Sequence, residues 1–477
     1  MQLIYEKSRP GCRAITFDPL DVPTATMPPQ LCRVSPASLP EVSELDVVRH
    51  FTNLSRRNFG VDSHFYPLGS CSMKYNPKLA EAVAAEPGFA GLHPHLSSDR
   101  AYLPQCQGAL QLIYETERLL AEIGGMHQVS LQPIAGAHGE LTGTLLIAAY
   151  HRARGHPKDT ILIPDSAHGT NPASAAIAGF KVVEVPSNGD GTIHLNAFKG
   201  VLTASVAGVM LTCPNTHGLF EPDVRRICDL AHEVDALTYY DGANLNAIIG
   251  QCRPGDLGFD VMHFNLHKTF ATPHGMGGPG AGPIGVGERL EPFLPGPRVV
   301  PRDDAYALEW PERSIGRIAA FFGNFMIAVR AYAYMLHLGA EGLKQVSEHA
   351  VLNANYVHAR LKDVYLSAFP ARFMHECVLS AAPQAKQGVR ALDIAKALLD
   401  FGLHAPTVYF PLTVKESIMI EPTETESKAT LDAFCDAMLQ IAERVADDGQ
   451  RLREAPTSTP VGRLDEVRAA KELNCAC

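Results

Sequence analysis

Five short runs rich in β-branched and apolar residues recur between positions 160 and 268, and helical stretches separate several of them. They are TILIPDS (Thr160 to Ser166), KVVEVPS (Lys181 to Ser187), AGVMLTCP (Ala207 to Pro214), ALTYYDG (Ala236 to Gly242) and VMHFNLHK (Val261 to Lys268). Intervening segments such as VRRICDLAHEVD supply the crossovers that parallel strands require, because a tight hairpin can join only antiparallel ones. The pattern therefore predicts an α/β chain built on a large, mostly parallel sheet.

Around that sheet the sequence divides into four parts. Residues 1–80 are proline-rich and extended, an arm with one helix near Glu44 to Leu54. Residues 81–335 hold the sheet, with an amphipathic helix from about Gln111 and a long helical pattern from about Ile315 to Leu338. Residues 336–448 mix a helix (ALDIAKALLDFG) with strands (RFMHECVLS, ESIMIEP) and predict a smaller α+β domain. Residues 449–477 are polar and predict a mobile or partner-covering tail.

Composition narrows the function classes. A net charge of −10 with both signs interspersed argues against a nucleic-acid backbone or an anionic membrane as the main partner. The most apolar window, Ile318 to Val329, is too short to cross a bilayer. The first residues carry charges where a secretory signal needs an apolar stretch, which points to the cytoplasm. The 11 cysteines are scattered; Cys475 and Cys477 have no Cys/His cluster of zinc spacing beside them and predict an inert end.

Ligands of open α/β sheets bind beyond the carboxyl ends of the strands. Three polar clusters fall there: DSAHGTN (Asp165 to Asn171), DGAN (Asp241 to Asn244) and the pair His267 and Lys268. A glycine-flanked turn, AGAHG (Ala135 to Gly139), opens a helix, and the free N–H groups of a helix start make an anion site. A phosphate cradle, an acid and a lysine on one sheet edge suggest pyridoxal phosphate. Lys268 suits the Schiff base, Asp241 the pyridine nitrogen, the small Ala243 the flat ring, and His168 a planar partner on its other face.

Each residue has a plainer reading. Lys268 could be a solvated surface charge, His168 a cap or a satisfied core imidazole, and Asp241 the cap of the next helix. His263 and His267 stand four apart, but in a strand-like segment without the HExxH glutamate, so zinc is disfavoured. No P-loop or strand–GxGxxG–helix unit is present. The glycines of Gly275 to Gly287 suit a close-packed loop and strand beside the site. His263 and His274 receive no role.

Several longer motifs extend the pattern: LGSCSMKYNP, QPIAGAHGELTG, IPDSAHGTNPASA, YDGANLNAIIG, HFNLHKTFATPHGMGGPGAGPIGV, GLHAPTVYFP and IEPTETES. Together they resemble glycine decarboxylase, the pyridoxal phosphate component of the glycine cleavage system, and in particular subunit 2 of its two-subunit form. The resemblance implies an aspartate aminotransferase-like, fold type I architecture. It also implies decarboxylation of glycine with transfer of the aminomethyl group to the lipoyl arm of H-protein. Lys268 would carry the cofactor, Asp241 meet its ring nitrogen and His168 stack on the ring. Gly136, Ala137, His138 and His267 would hold the phosphate, with Ala243, Asn244 and Thr216 completing the cofactor site.

The implied partners are a homologous subunit 1, two copies of each chain assembling together, and lipoylated H-protein. Ser70 and Cys71, in YPLGSCSMK, are candidates for substrate or interface contact, or else part of a structural turn. Lys74 would attract H-protein or be solvated. His138 stands where the single-chain form has glutamine, and His217 where a less polar residue is expected. The alternatives are another decarboxylase or aminotransferase with the same cofactor and fold, and a non-catalytic scaffold subunit.

Overall fold

The structure is a computed structural model that describes residues 2–472 except positions 36, 100, 276–279 and 371. Cys475, Cys477 and the centre of the glycine-rich loop lie outside the described residues.

Seven strands form the main sheet: β1 (Gln128–Ser130), β2 (Thr160–Pro164), β3 (Lys181–Val185), β4 (Val206–Thr212), β5 (Leu237–Gly242), β6 (Val261–Phe264) and β7 (Ile284–Val286). Their order is β1-β7-β6-β5-β4-β2-β3, and only β7 runs against the rest. All five sequence-predicted runs are strands of this sheet. Alternate residues feed two cores. Ile161, Ile163 and Tyr239 pack toward the helices Gly136–Ala153 and Thr170–Ile177. Leu162, Tyr240 and Met262 pack toward Gln107–Gly124 and Val224–Glu233. A sheet covered on both faces needs apolar residues at successive positions, hence the unbroken β runs.

One helix is set unusually close to the sheet. A Cβ added at Gly143 would stand 2.2 Å from Tyr239 Cε2, and one at Gly139 would stand 2.8 Å from His263 Cβ. Glycine spacing thus brings the start of Gly136–Ala153 down onto the carboxyl ends of β5 and β6.

A hairpin, β8 (Arg298–Arg302) and β9 (Ala305–Glu309), follows the sheet. A second sheet, antiparallel and ordered β10-β11-β13-β12, comprises β10 (Leu366–Ser367), β11 (Cys377–Ser380), β12 (Thr407–Val408) and β13 (Ser417–Ile420). It packs on the helices Phe325–Leu361, Ala391–Asp400 and Lys428–Asp447 through a core including Leu361, Leu398 and Phe434.

Three expectations change. The long helix starts at Phe325, not near Ile315, and continues to Leu361 with a break at Gly339, whose φ of +60° interrupts helical geometry. The segment before it carries two tight positions, Phe321 and Gly323, at positive φ. The polar stretch after residue 449 is tied down as far as Arg463. Leu452 and Ala455 are buried in the second core, Thr457 and Ser458 N–H groups donate to Asp400, and Arg463 pairs with Asp393 at 2.7 Å. Lys74 is neither solvated nor available to a partner. Its ammonium is fully buried, 2.7 Å from Glu424 and 2.8 Å from Asn246 Oδ1. No helix among the described residues is long and apolar enough to cross a membrane.

Candidate active site

The carboxyl ends of β4, β5 and β6, the start of the helix Gly136–Ala153 and the turn at Ser70 enclose a cavity of about 210 Å³. Of the residues singled out from sequence, Ser70, Gly136, Ala137, His168, Thr216, Asp241, Ala243, Asn244, His267 and Lys268 line it. His138 and Cys71 do not. The His138 side chain turns back to accept the Ile134 N–H at 3.3 Å, and the Cys71 N–H donates to Glu421 at 3.0 Å. Burial, opposed by nearby Lys268, pushes the Cys71 thiol up to about 11, so it is not a thiolate at neutral pH.

Lys268 follows β6 and projects into the cavity, where its Nζ donates to the Ser70 carbonyl at 2.7 Å. Asp241, at the end of β5, is 1 % exposed. Its carboxylate accepts from Asn171 Nδ2 at 3.0 Å, Thr212 Oγ1 at 3.2 Å and the Ala243 N–H at 2.9 Å. Burial alone would raise this carboxyl, but His263, the Ala243 amide, Asn171 and Lys268 hold it below the usual range. His263, opposite Asp241 in the β5/β6 register, lies 3.4 Å from it. Burial lowers the His263 pKa against the opposing pull of Asp241; Tyr239 OH at 2.6 Å and Asn265 Nδ2 at 2.9 Å fix the ring's orientation.

His168 is oriented through Nδ1, 2.9 Å from Thr170 Oγ1, and Thr170 in turn donates to Glu140 at 2.9 Å. Burial first and Lys268 second lower the His168 pKa. Glu140 lines the cavity, and burial together with the Asp241 charge pushes its carboxyl up to about 8. His267 accepts the Ala281 N–H at 3.4 Å, and burial beside Lys268 pushes it down to about 3. His274 sits 5.4 Å from His267, ring centre to ring centre, and burial lowers it to about 4. Thr216 donates to the Ser166 carbonyl, and Asn244 to the Pro214 carbonyl at 2.9 Å.

Sequence reasoning passed over Glu140, Thr170, Asn171, Thr212, His263 and Asn265, all close to or lining the cavity. A signal existed for His263: it is next to last in β6, as Asp241 is in the adjacent β5, so their side chains meet on one face. His217, whose role was open, is buried and bridges Thr413 at 2.8 Å and the Gly191 carbonyl at 3.3 Å.

A strand-end lysine, a buried carboxylate and a helix start around one cavity fit a cofactor with an aldehyde, a ring nitrogen and a phosphate. Comparison with known proteins gives the family. Residues 139–398 match the aminotransferase class-V family, which defines the broad class of this chain. Residues 346–457 match the family described as glycine dehydrogenase, C-terminal domain. A protein of Caldanaerobacter subterraneus subsp. tengcongensis named "Probable glycine dehydrogenase (decarboxylating) subunit 2" is 54% identical over 475 residues, 98% of this chain and 97% of the relative. The protein of that name from Chlorobium chlorochromatii is 53% identical, covering 100% and 99%.

The chain belongs to the glycine dehydrogenase (decarboxylating) subunit 2 family. Among solved structures, an inhibitor-bound glycine decarboxylase (P-protein) of the glycine cleavage system superposes with a TM-score of 0.71 at 22% identity, covering 87% of this chain and 93% of that one. A sphingosine-1-phosphate lyase from Burkholderia pseudomallei reaches 0.62 at 13% identity, covering 91% and 95%. At these identities the likeness concerns the fold, which is that of the fold type I enzymes.

Proposed function

We propose that this chain, working with a homologous subunit 1, decarboxylates glycine with pyridoxal phosphate and passes the aminomethyl group to the lipoyl arm of H-protein. One observation carries the reading: Lys268 and the buried Asp241 carboxylate share one small cavity, in a chain whose full length matches glycine dehydrogenase (decarboxylating) subunit 2 proteins.

The residues fit the cofactor. Lys268 supplies the amine, Asp241 a carboxylate for the ring nitrogen, and His168 a neutral planar ring. The N–H groups at Gly136 and Ala137, at the helix start that lines the cavity, would take the phosphate, and glycine at 136 lets Asn265 pack directly against that start. Pyridoxal phosphate, when bound, supplies an electron sink for the pair left on the α-carbon as carbon dioxide departs. Asp241 stays ionised because three donors hold it, so it can keep a proton on a ring nitrogen. Thr170, anchored on Glu140, keeps the His168 ring from rotating.

The described lining residues include no arginine, and Lys268 is their only lysine. A substrate carboxylate therefore meets mainly neutral groups, and losing its charge as carbon dioxide is favoured over keeping it. Exchange of labelled bicarbonate into glycine, in the presence of subunit 1 and H-protein, tests the reading. Exchange is expected from the wild type and at least about a thousandfold less from Lys268→Ala, which also loses its visible absorbance band. No exchange from the wild-type pair with all components present overturns the reading.

A further inference from the structure

Lys268 meets a main-chain carbonyl in the cavity. Ser70 lines it, and its carbonyl oxygen is 2.7 Å from Lys268 Nζ. The turn that presents this carbonyl is strained, since Ser70 and Ser72 have φ of +65° and +48°, a region that residues with a side chain seldom occupy. Such a conformation persists only where its surroundings over-determine it.

Two carboxyl groups from distant sequence do so. Glu376, just before β11, accepts the Ser70 N–H at 2.7 Å. Glu421, just after β13, accepts the Cys71 N–H at 3.0 Å, the Ser72 N–H at 2.7 Å and the Ser72 hydroxyl. Both carboxyls and the neighbouring His375 are 0 % exposed, and His375 Nε2 is 3.8 Å from Glu421. Successive backbone N–H groups turned toward one acceptor form a nest, and here the acceptor, the Glu421 carboxyl, comes from inside the protein. The cluster could suggest a metal site, but both Glu421 oxygens are already committed to the turn.

The turn is fixed from below as well. A Cβ at Gly69 would lie 2.2 Å from Met419 Cγ, and Thr407 Oγ1 donates to the Gly69 carbonyl at 2.9 Å. The amides that could have received a ligand thus point away from the cavity, and a rigid carbonyl points toward it.

We propose that Glu376 and Glu421 are positioning residues that set substrate size, holding the Ser70 carbonyl as a wall that leaves no room for a side chain on the substrate α-carbon. The proposal rests on the glycine reading above. A substrate amine has to reach the place of the Lys268 nitrogen, so its α-carbon, one bond further, lies beside that carbonyl. On this proposal the site accepts a hydrogen there and rejects a methyl group.

Two variants test this. Glu421→Gln keeps shape and turns one of two accepting oxygens into a donor; Glu376→Leu keeps Glu421, leaves the Ser70 N–H without its acceptor and serves where Glu421→Gln fails to fold. Amide hydrogen exchange over residues 70–72 in the cofactor-free chain is expected to quicken by about tenfold or more in either variant. In the cofactor-loaded protein with subunit 1, spectral titration with glycine and with alanine is expected to show the preference for glycine falling by about tenfold. Faster amide exchange with an unchanged glycine-to-alanine ratio overturns the proposal, as does unchanged amide exchange. A wild type that binds glycine no better than alanine overturns the glycine reading itself, and size selection with it.

Discussion

The cavity has two sides, each built around fully buried carboxyl groups, and they behave in opposite ways. On the sheet side Asp241 is held below the usual carboxylate range; on the loop side burial and the neighbouring Glu421 push Glu376 far above it. Burial is the same, so it cannot be the cause of the difference. Asp241 has three hydrogen-bond donors, whereas Glu376 has the single Ser70 amide, and its Oε1 has no partner among the described residues. The number of donors, and the sign of the nearest charge, decide whether a buried acid keeps its proton. One side is thereby equipped to hold a charge opposite a cofactor ring, the other to hold a backbone turn.

The contrast can be broken most strongly at Asp241. Asp241→Asn removes the charge and leaves Asn171 and Thr212 in place, and should lower bicarbonate exchange by about 100-fold or more while weakening cofactor retention. Loss of less than about threefold would mean that the charge on the sheet side is dispensable. The arm that carries the loop side is tested next. Lys74→Met leaves the part-buried Glu424 with the Asn246 amide and no cation, and should cost about 3 kcal/mol, read from the urea midpoint, with Lys74→Met/Glu424→Leu recovering much of that loss.

Glu140 gives the smallest effect and sharpens the rule. Its pKa is raised from 4.5 to about 8 in the folded chain, so the unfolded chain holds fewer protons between those values. The sign follows: its contribution to stability is complete below about pH 4.5 and is lost as pH climbs toward 8. Glu140→Gln should therefore flatten the fall in melting temperature across that window. An unchanged pH profile would show that Glu140 is ionised in the folded chain.

Legibility in the sequence follows the same division. The sheet side comes from regular elements whose strand ends are short, local motifs, so Asp241, His168, Lys268 and the glycine turn could be read from residue type and position. The resemblance added Thr216 and His267 to that set. The loop side assembles segments around residues 70, 376 and 421, and no periodicity links positions three hundred apart. Lys74 misled for a related reason: an isolated lysine in an arm is normally solvated, and only the fold supplies Glu424 and Asn246. The long helix begins later than its apolar run suggests, because a run without strand alternation looks helical even where positive φ at Phe321 and Gly323 prevents it.

The Ser70 carbonyl has a consequence for how this chain can change over generations. Pockets bounded by side chains are remodelled one codon at a time, but every residue at position 70 brings the same C=O with it. Substitution there alters what hangs from the wall and not the wall. A lineage seeking a larger substrate would have to alter the distant carboxyl groups that hold the turn, or rebuild the turn itself, and neither change offers a graded intermediate.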